Sequence, residues 1–125
     1  MINIIAIFLG GGIGAISRYG VSVLLKTYSI SFPVATLGVN ILGSLILGFI
    51  AALFWSKSPS AANHTLRLAI TVGFCGGLTT FSTFSWETFD LIQNGEFLLA
   101  FIYTLVSVLT CVLAVGLGVF LAKYV

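Results

Sequence analysis

Gly73-Phe74-Cys75-Gly76-Gly77-Leu78-Thr79-Thr80-Phe81-Ser82-Thr83-Phe84-Ser85 is the stretch on which the reading of this chain turns. Here an otherwise apolar sequence becomes polar and flexible without acquiring a charge. Two adjacent glycines weaken a helix by roughly 1 kcal/mol each relative to alanine, and the hydroxyl side chains beyond them compete for backbone hydrogen bonds. The expectation is a hydrophobic helix broken around Gly76-Gly77. In a bilayer, freed backbone groups are tolerated only where protein or a water-filled cavity shields them, so such a break marks a buried junction or a permeation path.

The sequence on either side is that of a membrane protein. Of 125 residues, 59% are hydrophobic and 6% charged, and the mean hydropathy of +1.21 lies far outside the range of soluble domains. A spanning helix takes about 20 apolar residues, so the length holds four spans with short loops. The fold class expected is an all-α membrane protein, a single domain over residues 1–125 with spans near 4–25, 34–55, 66–92 and 97–122, the third broken near its middle. The net charge of +2 comes from five scattered basic residues, which gives no patch for nucleic acid or for anionic lipid. Met1-Ile2-Asn3-Ile4 lacks the basic region of a cleaved signal peptide and reads as the approach to the first span.

Each span carries small or polar residues that need a reason. The first holds Gly10, Gly11, Gly12 and Gly14, with Gly10 and Gly14 at the spacing that lets helices approach closely. Gly10-x-Gly12-x-x-Ala15 also fits a dinucleotide-binding fingerprint, but no acidic residue follows before Glu87, which removes that reading. Arg18, the one charge inside this span, either snorkels to the headgroups or makes an electropositive vestibule for anions. Pro33 suits the first turn of the second span, and Trp55 with Lys57-Ser58-Pro59 its exit. Asn40, about two turns inside the second span, either glues helices together or offers its amide N–H to a permeating anion. His64, the single histidine, reads as a loop residue with no metal-binding neighbour. Asn94-Gly95 reads as the cap closing the third span. Tyr103, Ser107 and Cys111 recur every four residues along the fourth, a weakly polar stripe on one face. Cys75 and Cys111 read as packing residues.

In the second half of the third span a helix places Phe81, Phe84, Ser85 and Thr88 near one face, with Ser82 and Thr83 on its flanks. Hydroxyl and amide groups donate to a small anion, and the rim of a phenyl ring carries the positive part of its quadrupole. Carbonyls exposed between Gly76 and Thr79 are hard ligands suited to a cation such as Na⁺. Ordinary packing accounts for either phenylalanine alone, and back-bonding for any one hydroxyl. Glu87 and Asp90 lie near this helix's C-terminal end, where the macrodipole disfavours them; solvation at the membrane surface, a basic partner or a place at a pore mouth would each offset that.

Three motifs, Gly11-Gly12-Ile13-Gly14-Ala15-Ile16-Ser17-Arg18-Tyr19, Gly38-Val39-Asn40-Ile41-Leu42-Gly43-Ser44 and the opening stretch, resemble in order and spacing those of the Fluc (CrcB-like) family of small bacterial fluoride channels. The resemblance covers the whole chain, and the third motif is its most specific part. It implies a four-span subunit assembled as an antiparallel, dual-topology homodimer with two fluoride pores. Carried over by motif, it implies that Phe81, Phe84 and Asn40 line the pore and that Ser82, Thr83, Ser85, Tyr103 and Ser107 form a polar track. It places Arg18 in the vestibule and the carbonyls of Gly76 and Thr79 around a structural Na⁺ at the dimer interface. Cys111 stands where the track would be expected to continue with a hydroxyl. The implied role is passive export of cytoplasmic fluoride across the bacterial plasma (inner) membrane, because neutral HF crosses the bilayer and ionises inside. The charge pattern is compatible with dual topology: Lys57, Arg67 and Lys123 share one side against Lys26, or Lys26 and Arg18, on the other.

Two other classes compete. A small four-span proton-coupled exporter of toxic cations needs a carboxylate buried in the membrane, typically in the first span, where this chain has Arg18 instead. An accessory membrane subunit leaves the Phe/Ser/Thr stretch without a purpose. An enzyme is not expected, since no span carries a nucleophile beside a base.

Overall fold

The computed structural model describes residues 1–26, 28, 32–55 and 61–125. The proposed exit Lys57-Ser58-Pro59 and the side chain of Trp55 lie outside the described residues. Helix α1 covers Ile2–Leu24 and α2 Val34–Trp55. The third span is composite: α3 (Ala61–Leu68), a π-helical stretch (Ala69–Cys75), the single turn α4 (Gly76–Leu78) and α5 (Phe81–Gln93). Helix α6 runs over Phe97–Leu121 and ends in a 3₁₀ turn, Ala122–Tyr124. Four segments, Ile2–Leu24, Val34–Phe54, Asn63–Gln93 and Phe97–Tyr124, are long and apolar enough to cross a membrane, and no strand occurs among the described residues. Large apolar side chains such as Ile5, Phe8, Ile16, Phe101, Leu109 and Leu113 point outward, as expected where the solvent is lipid.

Without a hydrophobic force between helices in lipid, close backbone approach has to drive packing, and the glycines provide it. Helix α1 lies along the π-helical stretch and α4, while α2 lies along α6. A Cβ at Gly14 would collide with the carbonyl oxygen of Phe74, and one at Gly77 with that of Gly11, so the two backbones touch where side chains would otherwise stand. Gly48 and Gly118 do the same for α2 and α6, against Val115 and Leu45 respectively.

The break falls three residues later than expected. Gly76 and Gly77 are helical, and the interruption is at Thr79 (φ −79°, ψ 156°) and Thr80 (φ −151°, ψ 116°), both extended. Gly77 serves the contact with α1 instead, and the residues just upstream, Ala69–Cys75, form wider π-helical turns. The cap at Asn94-Gly95 is formed: Asn94 N–H donates to the Asp90 carbonyl at 3.0 Å and Gly95 takes a φ of +79°. Pro33 stands just before α2, where its carbonyl accepts from the Leu37 N–H at 3.1 Å.

Candidate functional site

An extended residue in mid-membrane must find partners for its N–H and C=O outside any helix. Thr80 finds them on Asn40. Its N–H donates to Asn40 Oδ1 at 2.7 Å, and its carbonyl accepts from Asn40 Nδ2 at 3.2 Å. The carboxamide of α2 therefore spans both main-chain groups of Thr80, which is the interhelical role weighed for Asn40 from the sequence. One N–H of Nδ2 is left over, and Asn40 also faces the cavity described below.

Thr80 in turn caps α5. Its Oγ1 accepts from the Thr83 N–H at 3.1 Å and meets the hydroxyls of Thr83 (3.0 Å) and Ser82 (3.2 Å). These bonds leave two carbonyls without their helical donors. The N–H four residues beyond Gly76 belongs to Thr80 and goes to Asn40; the one four beyond Thr79 belongs to Thr83 and goes to Thr80 Oγ1. The break thus juxtaposes two helix ends of opposite polarity. The positive N-terminus of α5 begins at Phe81, and the negative end of α4 presents the freed carbonyls of Gly76 and Thr79.

Beside the break, a cavity of about 340 Å³ opens between α2, the third span and α6. Asn40, Gly76, Thr79, Phe81, Phe84 and Ser107, all singled out from the sequence, line it, together with Thr80, Cys75 and Cys111. Among the described residues, no ionisable acid or base other than the two thiols contributes to its wall. The Phe81 and Phe84 ring centroids lie 5.6 Å apart, and Phe84 lies 5.2 Å from Tyr103. Phe81 is 79% exposed, so the cavity is open to the outside of the chain. Ser107 is 6% exposed, and its Oγ has no hydrogen-bond partner among the described residues.

The remaining candidates fall elsewhere. Ser82 and Thr83 cluster on Thr80, and Ser85 donates back to the Phe81 carbonyl at 2.8 Å. Tyr103 is fully buried behind Phe84 and does not reach the cavity wall. Arg18 is half-exposed on α1, a helix that contributes nothing to the wall. Glu87 has partners that the sequence reading did not anticipate. Its two oxygens accept from Thr36 Oγ1 and from the Tyr103 hydroxyl, each at 2.7 Å, so two hydroxyls rather than a basic residue hold it. Thr36 and Thr80 were both missed. Thr36 carries no local signal; Thr80 was signalled by its place ahead of Thr83, the capping position of a helix restarting at Phe81.

A match to the family described as "CrcB-like protein, Camphor Resistance (CrcB)" extends over residues 5–119. The chain belongs to this family. It is 43% identical over 124 residues to a protein of Geobacter sp. (strain M21) named "Fluoride-specific ion channel FluC", the match covering 98% of both chains. Proteins of the same name from Pyrococcus furiosus (48% over 118 residues, 94% of this chain and 93% of the relative) and Ruminiclostridium cellulolyticum (44% over 124 residues, 98% and 94%) are similar over nearly their whole lengths. The family resemblance read from the three motifs is thus confirmed, and with it a multi-pass membrane protein.

Proposed function

We propose that this CrcB-like chain is a fluoride-specific ion channel rather than an enzyme, and that it passes fluoride by electrodiffusion along the cavity beside the helix break. The observation that carries the reading is the buried Ser107 hydroxyl, without a partner among the described residues and facing a cavity rimmed by two phenylalanines, whose described wall holds no carboxylate. A buried unsatisfied hydroxyl costs about 1–3 kcal/mol, which a small anion or its water would recover. Fluoride sheds a tight hydration shell only where several donors replace it. Ser107 Oγ, the spare N–H of Asn40, the ring edges of Phe81 and Phe84 and the N-terminal end of α5 are such donors. Ser82, Thr83 and Ser85, exposed on α5, would extend the polar track in the assembled pore, Tyr103 would back the Phe84 ring, and Arg18 would draw anions toward a vestibule.

The functional unit we infer is an antiparallel homodimer in the bacterial plasma membrane, with two pores. Lipid cannot cover an open cavity holding unpaired polar groups, and a second copy of the chain can. The cavity opens outward at Phe81, and Gly76 is exposed beside it, so both stand where a partner copy would lie. The residues present fit a structural Na⁺ at that interface, because the Gly76 and Thr79 carbonyls are relieved of helical donors by the bonds of Thr80 and Thr83. Two carbonyls from each chain would supply four oxygens, and the bound ion would add positive charge between the pores.

The experiment is fluoride efflux from proteoliposomes, with a K⁺ ionophore to dissipate the voltage and chloride as the control anion. Rapid ionophore-dependent loss of fluoride with little loss of chloride is expected. No efflux from folded, dimeric protein refutes the channel. Efflux that needs a proton gradient favours instead the coupled exporter, for which Glu87 would be the carboxylate within the membrane.

A further inference from the structure

Two thiols face the cavity, and the fluoride pathway has no use for either. Cys75 and Cys111 are both free, one from the third span and one from α6, and both belong to the cavity wall. Cys75 is 2% exposed, whereas Cys111 is half-exposed and so the more accessible of the two. The same wall holds the unpartnered Ser107 hydroxyl, 94% buried, one helical turn before Cys111 on the same face of α6. Among the described residues the wall offers no carboxylate and no imidazole.

We propose that this cavity is a binding site for a soft monovalent metal ion, Cu⁺ or Ag⁺, with Cys111 as the principal ligand and Cys75 and the Ser107 hydroxyl completing it, and that occupancy obstructs the pore. The site rests on the channel reading only for its effect on flux.

The chemistry follows from the donor set. Soft thiolates select monovalent copper and its congener silver, whereas hard divalent ions take carboxylates and borderline ones imidazole, and the described wall has neither. Binding forms a metal–sulfur bond as the Cys111 S–H bond breaks, the proton leaving to water along the cavity. A thiolate joined to a monovalent cation is neutral overall, so no net charge is left in the low-dielectric interior. An ion held there occupies part of the cavity that Ser107 and Phe84 also line and that fluoride would have to cross.

The test uses the full-length protein in chloride-free nitrate buffer, with Ag⁺ as the probe. Native mass spectrometry counts bound silver, N-ethylmaleimide labelling reports whether silver protects Cys111, and proteoliposome efflux reports fluoride flux. We expect one silver per chain, protection of Cys111, a fall in flux of about tenfold or more, and silver binding weakened at least about tenfold in Cys75→Ser. Cys111→Ser should take up no silver and show no silver-dependent change in its own flux, whatever its flux without silver. A wild-type protein that binds no silver, or a Cys111→Ser variant that binds as much, overturns the site. Should Cys111→Ser fail to fold, equal maleimide labelling of wild-type Cys111 with and without silver overturns it. Absent flux before any silver is added counts against the channel alone, and the silver count and labelling still decide the site.

Discussion

Replacing Asn40 by leucine tests the account of the helix break. The side chain keeps its approximate volume and loses both the acceptor that meets the Thr80 N–H at 2.7 Å and the donor that meets the Thr80 carbonyl at 3.2 Å. Thr80 is 7% exposed and extended, so neither main-chain group can turn to water or return to a helical partner. Two buried groups left unsatisfied cost about 2–6 kcal/mol at 1–3 kcal/mol each. Interhelical bonds in membranes average nearer 0.6 kcal/mol, which sets a floor of about 1 kcal/mol for the pair. Thr80→Ala provides the scale. It removes the Oγ1 that caps α5 but keeps both bonds to Asn40, for a cost of about 0.5–2 kcal/mol. The fraction of detergent-solubilised protein surviving as a monodisperse species after graded heating should therefore fall in the order wild type, Thr80→Ala, Asn40→Leu. Asn40→Asp separates stability from conduction. It keeps an acceptor for the Thr80 N–H, so it should fold better than Asn40→Leu, yet it sets a negative charge in the cavity wall and should conduct fluoride poorly. An Asn40→Leu protein as heat-resistant and as conductive as wild type would refute the argument, because something other than this carboxamide would then be holding Thr80 extended.

Phe81→Ile should fold normally, since Phe81 is 79% exposed, and yet lose most fluoride efflux; undiminished efflux removes it from the pore. Phe84→Ile should lose efflux as well, with a modest loss of heat resistance from the ring contact at 5.2 Å to Tyr103, a pair worth about 0.5–1.5 kcal/mol. Tyr103→Phe and Thr36→Val each strip one 2.7 Å donor from Glu87, at a cost of about 1.5–3 kcal/mol for a bond to a charged group. Heat resistance equal to wild type in both would show that the carboxylate finds other partners. Gly14→Leu should give no monodisperse protein because its Cβ would strike the Phe74 carbonyl, whereas Gly12→Leu, with nothing within 4 Å, should be tolerated. Size-exclusion chromatography distinguishes the two, and equal behaviour would deny the backbone contact of α1 its role.

The number of spans was legible because about 20 apolar residues can do little else, and the glycines of α1 announced a close contact through their spacing. The cavity wall was legible in part. Asn40, Phe81, Phe84 and Ser107 stand out as polar or aromatic residues in a regular pattern, and the structure brings all four together. The carboxylate network was not legible. Glu87 meets Thr36 and Tyr103 across 51 and 16 residues of sequence. A threonine near the start of a span is unremarkable until tertiary structure places it opposite a carboxylate.

The position of the break shows why a local rule misplaced it. Glycine lowers helix propensity, so Gly76-Gly77 reads as the weak point. In the folded chain Gly77 earns its place by lacking a side chain where the Gly11 carbonyl of α1 approaches, a need that a helical glycine meets as well as a broken one. What interrupts the helix is instead an offer of better partners three residues later, at Thr79-Thr80. Asn40 takes both main-chain groups of Thr80, and the Thr80 hydroxyl takes the Thr83 N–H that would otherwise have gone to Thr79. The Thr80 and Thr83 N–H groups released by the break are thereby satisfied by side chains, while the carbonyls of Gly76 and Thr79 lose those donors, and that imbalance leaves oxygen ligands free at one helix end, with a positive terminus at the other. Substituting Gly76 by alanine should then leave the break in place, since no atom lies within 4 Å of its Cβ position. Amide hydrogen exchange at Thr80 measures this directly: protection lost in Asn40→Leu and kept in Gly76→Ala is expected, and the reverse pattern would return the break to the glycines.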